Sequence, residues 1–427
     1  MDDAAVTLIC LVVFGWGLFS ARLGRADLSA PMVFIAAGLL FSEGLQIEPD
    51  VSREAVKLIA EVTLVWVLFA DASRLTLRDL RPDRGLYTRL LAVGLPLTVA
   101  AGTGLAMLLF DGLGIWMALL VGAALAPTDA ALGATVMTDP AVPERVRRAL
   151  NVESGLNDGI ATPIVTVAIA GAAATAVSGH NLPTVSSAVV DLIIGLVVGL
   201  VVGVVGGKAM RLARLHKWAS EDAAGPGVLA LALTAYAVTL LLDGNGFVAA
   251  FVAGIAFGNS AGRGGSKEVF YVEQTAGLAS TVTWFLFGAL AVPTVFEQAD
   301  WQIVVYALLS LTVVRMLPVA LALIGERMSR PTVAFIGWFG PRGLASIIFA
   351  LIALEELGDA ANRAVAIVGM TVVLSVLAHG LTAKPLAVRY GATTSLSTQP
   401  AGTAPSQLPV RGLLQRHSAT SAKASSG

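Results

Sequence analysis

Asn151-Val152-Glu153-Ser154-Gly155-Leu156-Asn157-Asp158-Gly159 places two carboxylates and several polar side chains at the head of a run, Ile160 to Ala176, that holds almost no other polar group. If 150–176 forms one helix, Ser154 and Asp158 lie four apart and share a face, while Glu153 and Asn157 form an adjacent stripe. A charged group at bilayer depth costs roughly 2.5–3.5 kcal/mol on insertion scales, so such residues mark function before they mark structure. The competing local reading makes Asn157-Asp158-Gly159 a turn and starts the helix at Ile160.

The surroundings of this stretch read as membrane. The chain has 427 residues, is 56% hydrophobic and 13% charged, and has a mean hydropathy of +0.79. Soluble domains carry roughly 25% charged residues. A net charge of -1 suggests no nucleic-acid partner. The single cysteine, Cys10, excludes an intrachain disulfide and a cysteine metal cluster, and His180, His216, His379 and His417 are too scattered to form a metal-ligand pattern. The first apolar run follows an acidic Met1-Asp2-Asp3, unlike a signal peptide, and reads as the first span.

A helical span needs about 20 apolar residues. Thirteen runs qualify, roughly 4–23, 30–45, 54–73, 87–110, 113–136, 150–176, 185–213, 226–243, 245–260, 274–293, 302–323, 331–354 and 363–389, the ninth being the shortest. Arg and Lys concentrate in every second loop: Arg22 and Arg25; Arg74 to Arg89; Arg145, Arg147 and Arg148; Lys208 to Lys217; Arg263 and Lys267; Arg327 and Arg330; Lys384 and Arg389. Positive loops face the cytoplasm, which puts the N-terminus outside, the C-terminus inside, and the chain in the plasma membrane. The expected division is a transmembrane domain over 1–390 and, from the Ser, Thr, Ala, Gly and Pro-rich composition, a disordered cytoplasmic tail over 391–427.

Few charges fall inside these spans: Glu61, Asp71, Asp129, Glu153, Asp158, Asp191, Arg315 and Arg342. The acids outnumber the interior arginines, so not every acid can be paired, and an unpaired buried carboxylate can hold a proton or a cation. Two spans carry breaks near their centres, Ala126-Pro127-Thr128-Asp129 in the fifth and Gly340-Pro341-Arg342-Gly343 in the twelfth. Proline frees a carbonyl and glycine loosens the helical ladder. The two spans are seven apart and run in opposite directions. Broken helices at corresponding positions of inverted halves point to a transporter's ion site, with spans 1–6 repeated by 8–13. Each residue also has a plainer reading. Thr128 and Asp129 cap a helix half, Thr138-Asp139-Pro140 ends one at the cytoplasmic face, Glu153 pairs with Arg342 or Arg315, Asp71 lines a hydrated funnel, and Asp191 and His379 are structural.

Together these residues resemble the monovalent cation:proton antiporter family, the NhaP-type and animal sodium/proton exchangers, over nearly all of 1–390. Glu153-Ser154-Gly155-Leu156-Asn157-Asp158 is similar to the family's E-S-x-x-N-D signature, Thr128-Asp129 to its T-D motif, Leu68-Phe69-Ala70-Asp71 to L-F-x-[DE], and Gly340-Pro341-Arg342-Gly343 to G-x-R-G. The stretch Gly246 to Gly254 has the family's cast. Three positions depart: Ala130 stands where Pro usually follows T-D, Gly155 where a bulky residue is common, and Asp71 where Glu is frequent. The resemblance implies an all-α polytopic membrane protein, a homodimer, whose helices 4–6 and 11–13 carry the ion against a scaffold. It implies that Asp158 binds a monovalent cation and a proton in turn. Na+ is the first expectation, with Li+ or K+ as alternatives, and no cofactor is implied. Thr128, Ser154 and Asp71 would surround the ion, Asn157 and Asp129 would hold the crossing of helices 5 and 12, with Asp129 held by Asn157 and by backbone amides at the break, Glu153 would pair with Arg342, and Arg315 would lie near the site.

The rival classes are a passive cation channel and an intramembrane enzyme. No Gly-x-Gly-Asp motif accompanies Asp129 or Asp158, and no Ser/His pair has a protease context.

Overall fold

The computed structural model describes residues 3–44, 52–75, 80–81, 83–176, 185–262 and 265–395. Among the described residues the chain is helical throughout, without strands. Thirteen membrane helices follow in order: α1 (Asp3–Arg25), α2 (Ala30–Gly44), α3 (Arg53–Ser73), α4 (Arg84–Leu109), α5a (Ile115–Ala124) with α5b (Ala134–Thr138), α6 (Glu144–Ala176), α7 (Val185–Leu215), α8 (Glu221–Leu240), α9 (Gly246–Ser260), α10 (Gly265–Glu297), α11 (Trp301–Ala322), α12a (Arg330–Trp338) with α12b (Leu344–Leu357), and α13 (Asn362–Ser395). All thirteen expected runs correspond to these elements, including the short ninth. The fifth and twelfth are unwound over several residues, each the fifth member of a six-helix half, with α7 between the halves, whereas α11 is interrupted at Thr312 alone.

The boundaries show where hydropathy alone falls short. α6 begins at Glu144, six residues before the apolar run, because Arg145 and Arg148 find acidic partners at the surface end: Arg145 on Asp83 and Glu326, Arg148 on Glu144. α10 starts at Gly265 rather than 274, which brings Glu268 and Glu273 into the helix, both buried. Arg214 holds Glu268 at 2.6 Å and Arg74 holds Glu273, so each acid is inserted already neutralised. α13 extends to Ser395, five residues past the expected boundary. The rest of the expected tail, from residue 396, lies outside the described residues, as does His180.

Packing sorts the helices into two groups. α4, α5a, α6, α11, α12 and α13 pack on one another; α2, α3, α7, α8, α9 and α10 form the second group. They meet where α3 and α9 face α6 and where α3 faces α12b. Small residues set the packing at this seam and beside it. Within the second group, a Cβ on Gly254 or Gly258 of α9 would strike the α3 backbone at Phe69 and Ser73, so glycine lets the two helices touch through their main chains. At the seam itself, Gly159 of α6 accepts the ring of Phe251 of α9 against its bare Cα. The buried apolar cluster runs continuously through both groups, from Phe69 and Phe257 to Ile347 and Ile367.

Candidate functional site

The stretch 151–159 is helical throughout, so the turn over Asn157-Asp158-Gly159 is not formed and the polar residues do share helix faces. Glu153, Ser154, Asn157 and Asp158 are all buried. Pro163, inside α6, has no N–H to offer the carbonyl four residues back, and so leaves Gly159 C=O, next to Asp158, out of the helical ladder.

Helix α5a ends at Ala124, and Leu125 to Gly133 is unwound before α5b. The first of two polar clusters is here. Asn157 Nδ2 donates to Thr128 Oγ1 at 2.7 Å, and Thr128 Oγ1 lies 2.8 Å from Ser154 Oγ. The amide nitrogen can only donate, so Thr128 accepts from it and shares a hydroxyl–hydroxyl hydrogen bond with Ser154, one turn before Asp158. Asn157 Oδ1 is buried and accepts no hydrogen bond. Thr128 of the break is thus bonded to Ser154 and Asn157 of α6, the residues one turn before Asp158 and next to it.

The second cluster holds the break open. Asp129 Oδ1 accepts from Ala131 N–H at 2.7 Å and Leu132 N–H at 3.1 Å, capping its own chain. Its other oxygen accepts from Leu344 N–H at 2.9 Å, the start of α12b, and Asp129 N–H donates to Pro341 C=O at 2.8 Å. One carboxylate therefore lies at the positive ends of two backbone segments that come from opposite directions. Arg342 does the converse. Its Nη1 donates to Ala126 C=O at 2.6 Å and Pro127 C=O at 3.0 Å, the orphaned carbonyls at the end of α5a. The crossing is a pair of broken helices whose end charges are each met by a side chain of the other.

Two expected partnerships are corrected. Glu153 does not pair with Arg342. It takes Arg315 of α11 in a bidentate bridge, Nη1–Oε1 2.6 Å and Nη2–Oε2 2.9 Å, with side chains 4% and 2% exposed. Arg342 is already committed to backbone carbonyls, and the two-pronged carboxylate fits only one guanidinium edge. Arg315 also packs on Gly340: a Cβ there would overlap its guanidinium. Nor does Asn157 hold Asp129. It reaches the neighbouring Thr128, so it steadies the same break one residue earlier.

Asp71 stands near the C-terminal end of α3, where its backbone carbonyl and Leu75 pack over Gly155. Its carboxylate lies 3.9 Å from Arg74 Nη1, and Arg74 also contacts Glu273. This buried Asp71–Arg74–Glu273 group is absent from the sequence reading, which counted Arg74 as a loop charge and began α10 too late. The i,i+3 spacing of Asp71 and Arg74 was the signal available. At the opposite end of α3, Glu61 lines a cavity of about 550 Å3 with Asp191, Tyr236, Asn245 and Glu356; Thr166 of α6 and Phe247 of α9 also border it.

Residues 7–389 match the family described as sodium/hydrogen exchanger, transmembrane. Over 342 residues the chain is 28% identical to the K(+)/H(+) antiporter NhaP of Alkalimonas amylolytica, covering 78% of this chain and 57% of that protein. It is 24% identical over 378 residues to the Na(+)/H(+) antiporter ApNhaP of Aphanothece halophytica, covering 84% and 69%. The fold is similar to that of the sodium proton antiporter MjNhaP1 from Methanocaldococcus jannaschii, with a TM-score of 0.72 at 21% identity over 91% of this chain and 99% of that one. The match spans 57% of the length of the first curated relative.

Proposed function

Because the chain belongs to the sodium/hydrogen exchanger family, we propose that it is a secondary antiporter that exchanges a monovalent cation for H+ by alternating access. The observation that carries this reading is Asp158, a buried carboxylate on α6, one turn from Ser154 and next to Asn157, which are bonded to Thr128 in the break of α5. An alkali cation sheds its water only where protein oxygens replace it. Thr128, Ser154 and Asp158 supply such oxygens, and the unpartnered Oδ1 of Asn157 offers another. The proton and the cation compete for one carboxylate, so the site is loaded by one or the other, and that competition is the coupling.

The remaining charges make the carrier state affordable to the membrane. Glu153 and Arg315 neutralise one another, and Asp129 and Arg342 are matched to helix ends. The acid of the crossing assigned to exchange is Asp158, one helical turn from Ser154. Asp71 lies beside the path with Arg74 as a standing counter-charge. Na+ is the cation of first choice, with K+ and Li+ as alternatives, since relatives carry both Na(+) and K(+) in their names. The protein works as a homodimer in the plasma membrane, N-terminus outside and C-terminus cytoplasmic, with the α4–α6 and α11–α13 group moving against the rest. The two packing groups and the alternation of Arg- and Lys-rich loops support this arrangement.

The test is cation-dependent proton movement in proteoliposomes under an imposed pH gradient, with Na+, K+ and Li+ in turn. Obligatory exchange supports the antiporter. Conductance without counter-transport would mean a channel, and no flux with any of the three would defeat the proposal.

A further inference from the structure

The unwound segment between Trp338 and Leu344 has polar backbone groups on two sides, and α5 answers only one of them. Pro341 C=O and Leu344 N–H go to Asp129. Arg342 N–H and Trp338 C=O face the other way, toward α13. There, two side chains one turn apart meet them. Ser375 Oγ accepts from Arg342 N–H at 2.7 Å, and His379 Nε2 lies 2.8 Å from Trp338 C=O. Ser375 and His379 are joined, with Oγ 3.2 Å from Nδ1.

A backbone N–H only donates, so Ser375 Oγ accepts from Arg342. Both ring nitrogens of His379 face carbonyls: Nε2 that of Trp338, and Nδ1 that of Ser375 at 2.9 Å, with Ser375 Oγ a little farther off. Ser375 and His379 thus form a two-residue relay, from Arg342 N–H at one end to Trp338 C=O at the other, that spans the break from its last residues to its first. His379 is 2% exposed and is stacked on the Trp338 ring at 5.2 Å, which fixes the ring plane. Trp338 is itself tied to α13, donating from Nε1 to Thr382 at 3.1 Å.

We propose that Ser375 and His379 are positioning residues for the ion site: their relay holds segment 339–343 in the register that presents Pro341 C=O and Leu344 N–H to Asp129. The link to the crossing is direct. Arg342 is held by its N–H on Ser375, and the guanidinium of the same residue closes the end of α5a at Ala126 and Pro127. A shift of that anchor moves the cap on α5a, and with it Thr128, the residue that joins Asn157 to Ser154. Neither Ser375 nor His379 touches the cation; they act through Arg342 and Trp338.

The transport consequence rests on the antiporter reading, whereas the backbone consequence does not, and the two are measured separately. Wild type, Ser375→Ala, His379→Phe and His379→Gln are reconstituted and compared by backbone hydrogen exchange and by transport. In Ser375→Ala and His379→Phe, amides in 339–345 and, across the crossing, in 128–132 exchange about fivefold faster, the scale set by one lost buried hydrogen bond. His379→Gln retains a donor for Trp338 C=O but loses the second ring nitrogen beside Ser375 and the stacked ring, so its acceleration is intermediate. In transport, KM for the cation rises about tenfold in the first two variants and is partly rescued in the third, as expected of a site displaced by a fraction of an ångström. A merely structural role would lower the amount of folded protein and leave KM alone. Wild-type exchange rates at 128–132 in folded Ser375→Ala and His379→Phe overturn the proposal. Should those two fail to insert, wild-type rates at the same amides in His379→Gln overturn it equally. Loss of exchange activity in the wild type would instead defeat the antiporter reading, with the amide measurement still deciding the role of the relay.

Discussion

Glu153 and Arg315 form a buried two-pronged ion pair that ties α6 to α11, 162 residues apart in the chain. Removing one member leaves the other charge buried without its partner, at a cost of roughly 3–5 kcal/mol. Glu153→Gln and Arg315→Gln each lower the thermal midpoint, and the double variant recovers part of the loss. In the parallel cycle, Glu153→Gln and Arg342→Gln add without recovery. Coupling in the second cycle and additivity in the first would reverse this assignment.

Asp158→Asn removes both the negative charge and the proton site while preserving the size of the side chain. Transport by the purified, folded variant falls to the liposome background, and the fold is retained because Thr128, Ser154 and Asn157 remain bonded to one another. Exchange near the wild-type rate from a correctly inserted Asp158→Asn protein would remove Asp158 from the mechanism.

The crossing predicts an unusual sensitivity at a glycine. A Cβ on Gly343 would overlap the carboxyl of Asp129. Gly343→Ala therefore drives Asp129 from Leu344 N–H and costs stability on the scale of a lost helix cap, about 0.5–2 kcal/mol, together with most of the transport. Gly277, with open space around it, serves as the control: Gly277→Ala leaves both unchanged. Equal behaviour of the two substitutions in thermal melts and flux assays would argue against the cap.

If Asp158 is the exchanging acid, the stoichiometry turns on what its polar neighbours already do. Asn157, beside Asp158, does not titrate; Asp129 serves backbone amides; Asp71 has Arg74 at 3.9 Å. On the antiporter reading the expected cycle exchanges one cation for one proton and is electroneutral. A membrane potential clamped with valinomycin and K+ drives no net Na+ movement, and Asp71→Asn leaves that insensitivity intact. Flux that reverses with the sign of the clamp would require a second proton. The same competition raises the apparent KM for the cation as pH falls, with maximal rate preserved at saturating cation; a pH-independent KM would speak against a shared site.

Much of this was already written in the sequence, because the deciding physics is local. Hydrocarbon demands about 20 apolar residues per span, which marks thirteen helices without reference to their packing. Proline has no N–H, so Pro127 and Pro341 announce the two breaks wherever those helices end up. The four-residue spacing of Ser154 and Asp158 needs only the helical repeat. The limits of the local view are equally specific. Hydropathy started α10 at 274, since Glu268 and Glu273 read as too costly to insert until Arg214 and Arg74 are brought from distant helices. Glu153 had two buried arginines to choose from, and nothing within its own stretch separates Arg315 from Arg342. That choice belongs to the tertiary structure: the carbonyls freed at Ala126 and Pro127 claim Arg342, and α11 then delivers Arg315 to the remaining charge. A single helix specifies which polar groups it buries, but their partners are assigned only when all the broken and charged ends compete for one another in a medium with no water to satisfy the loser.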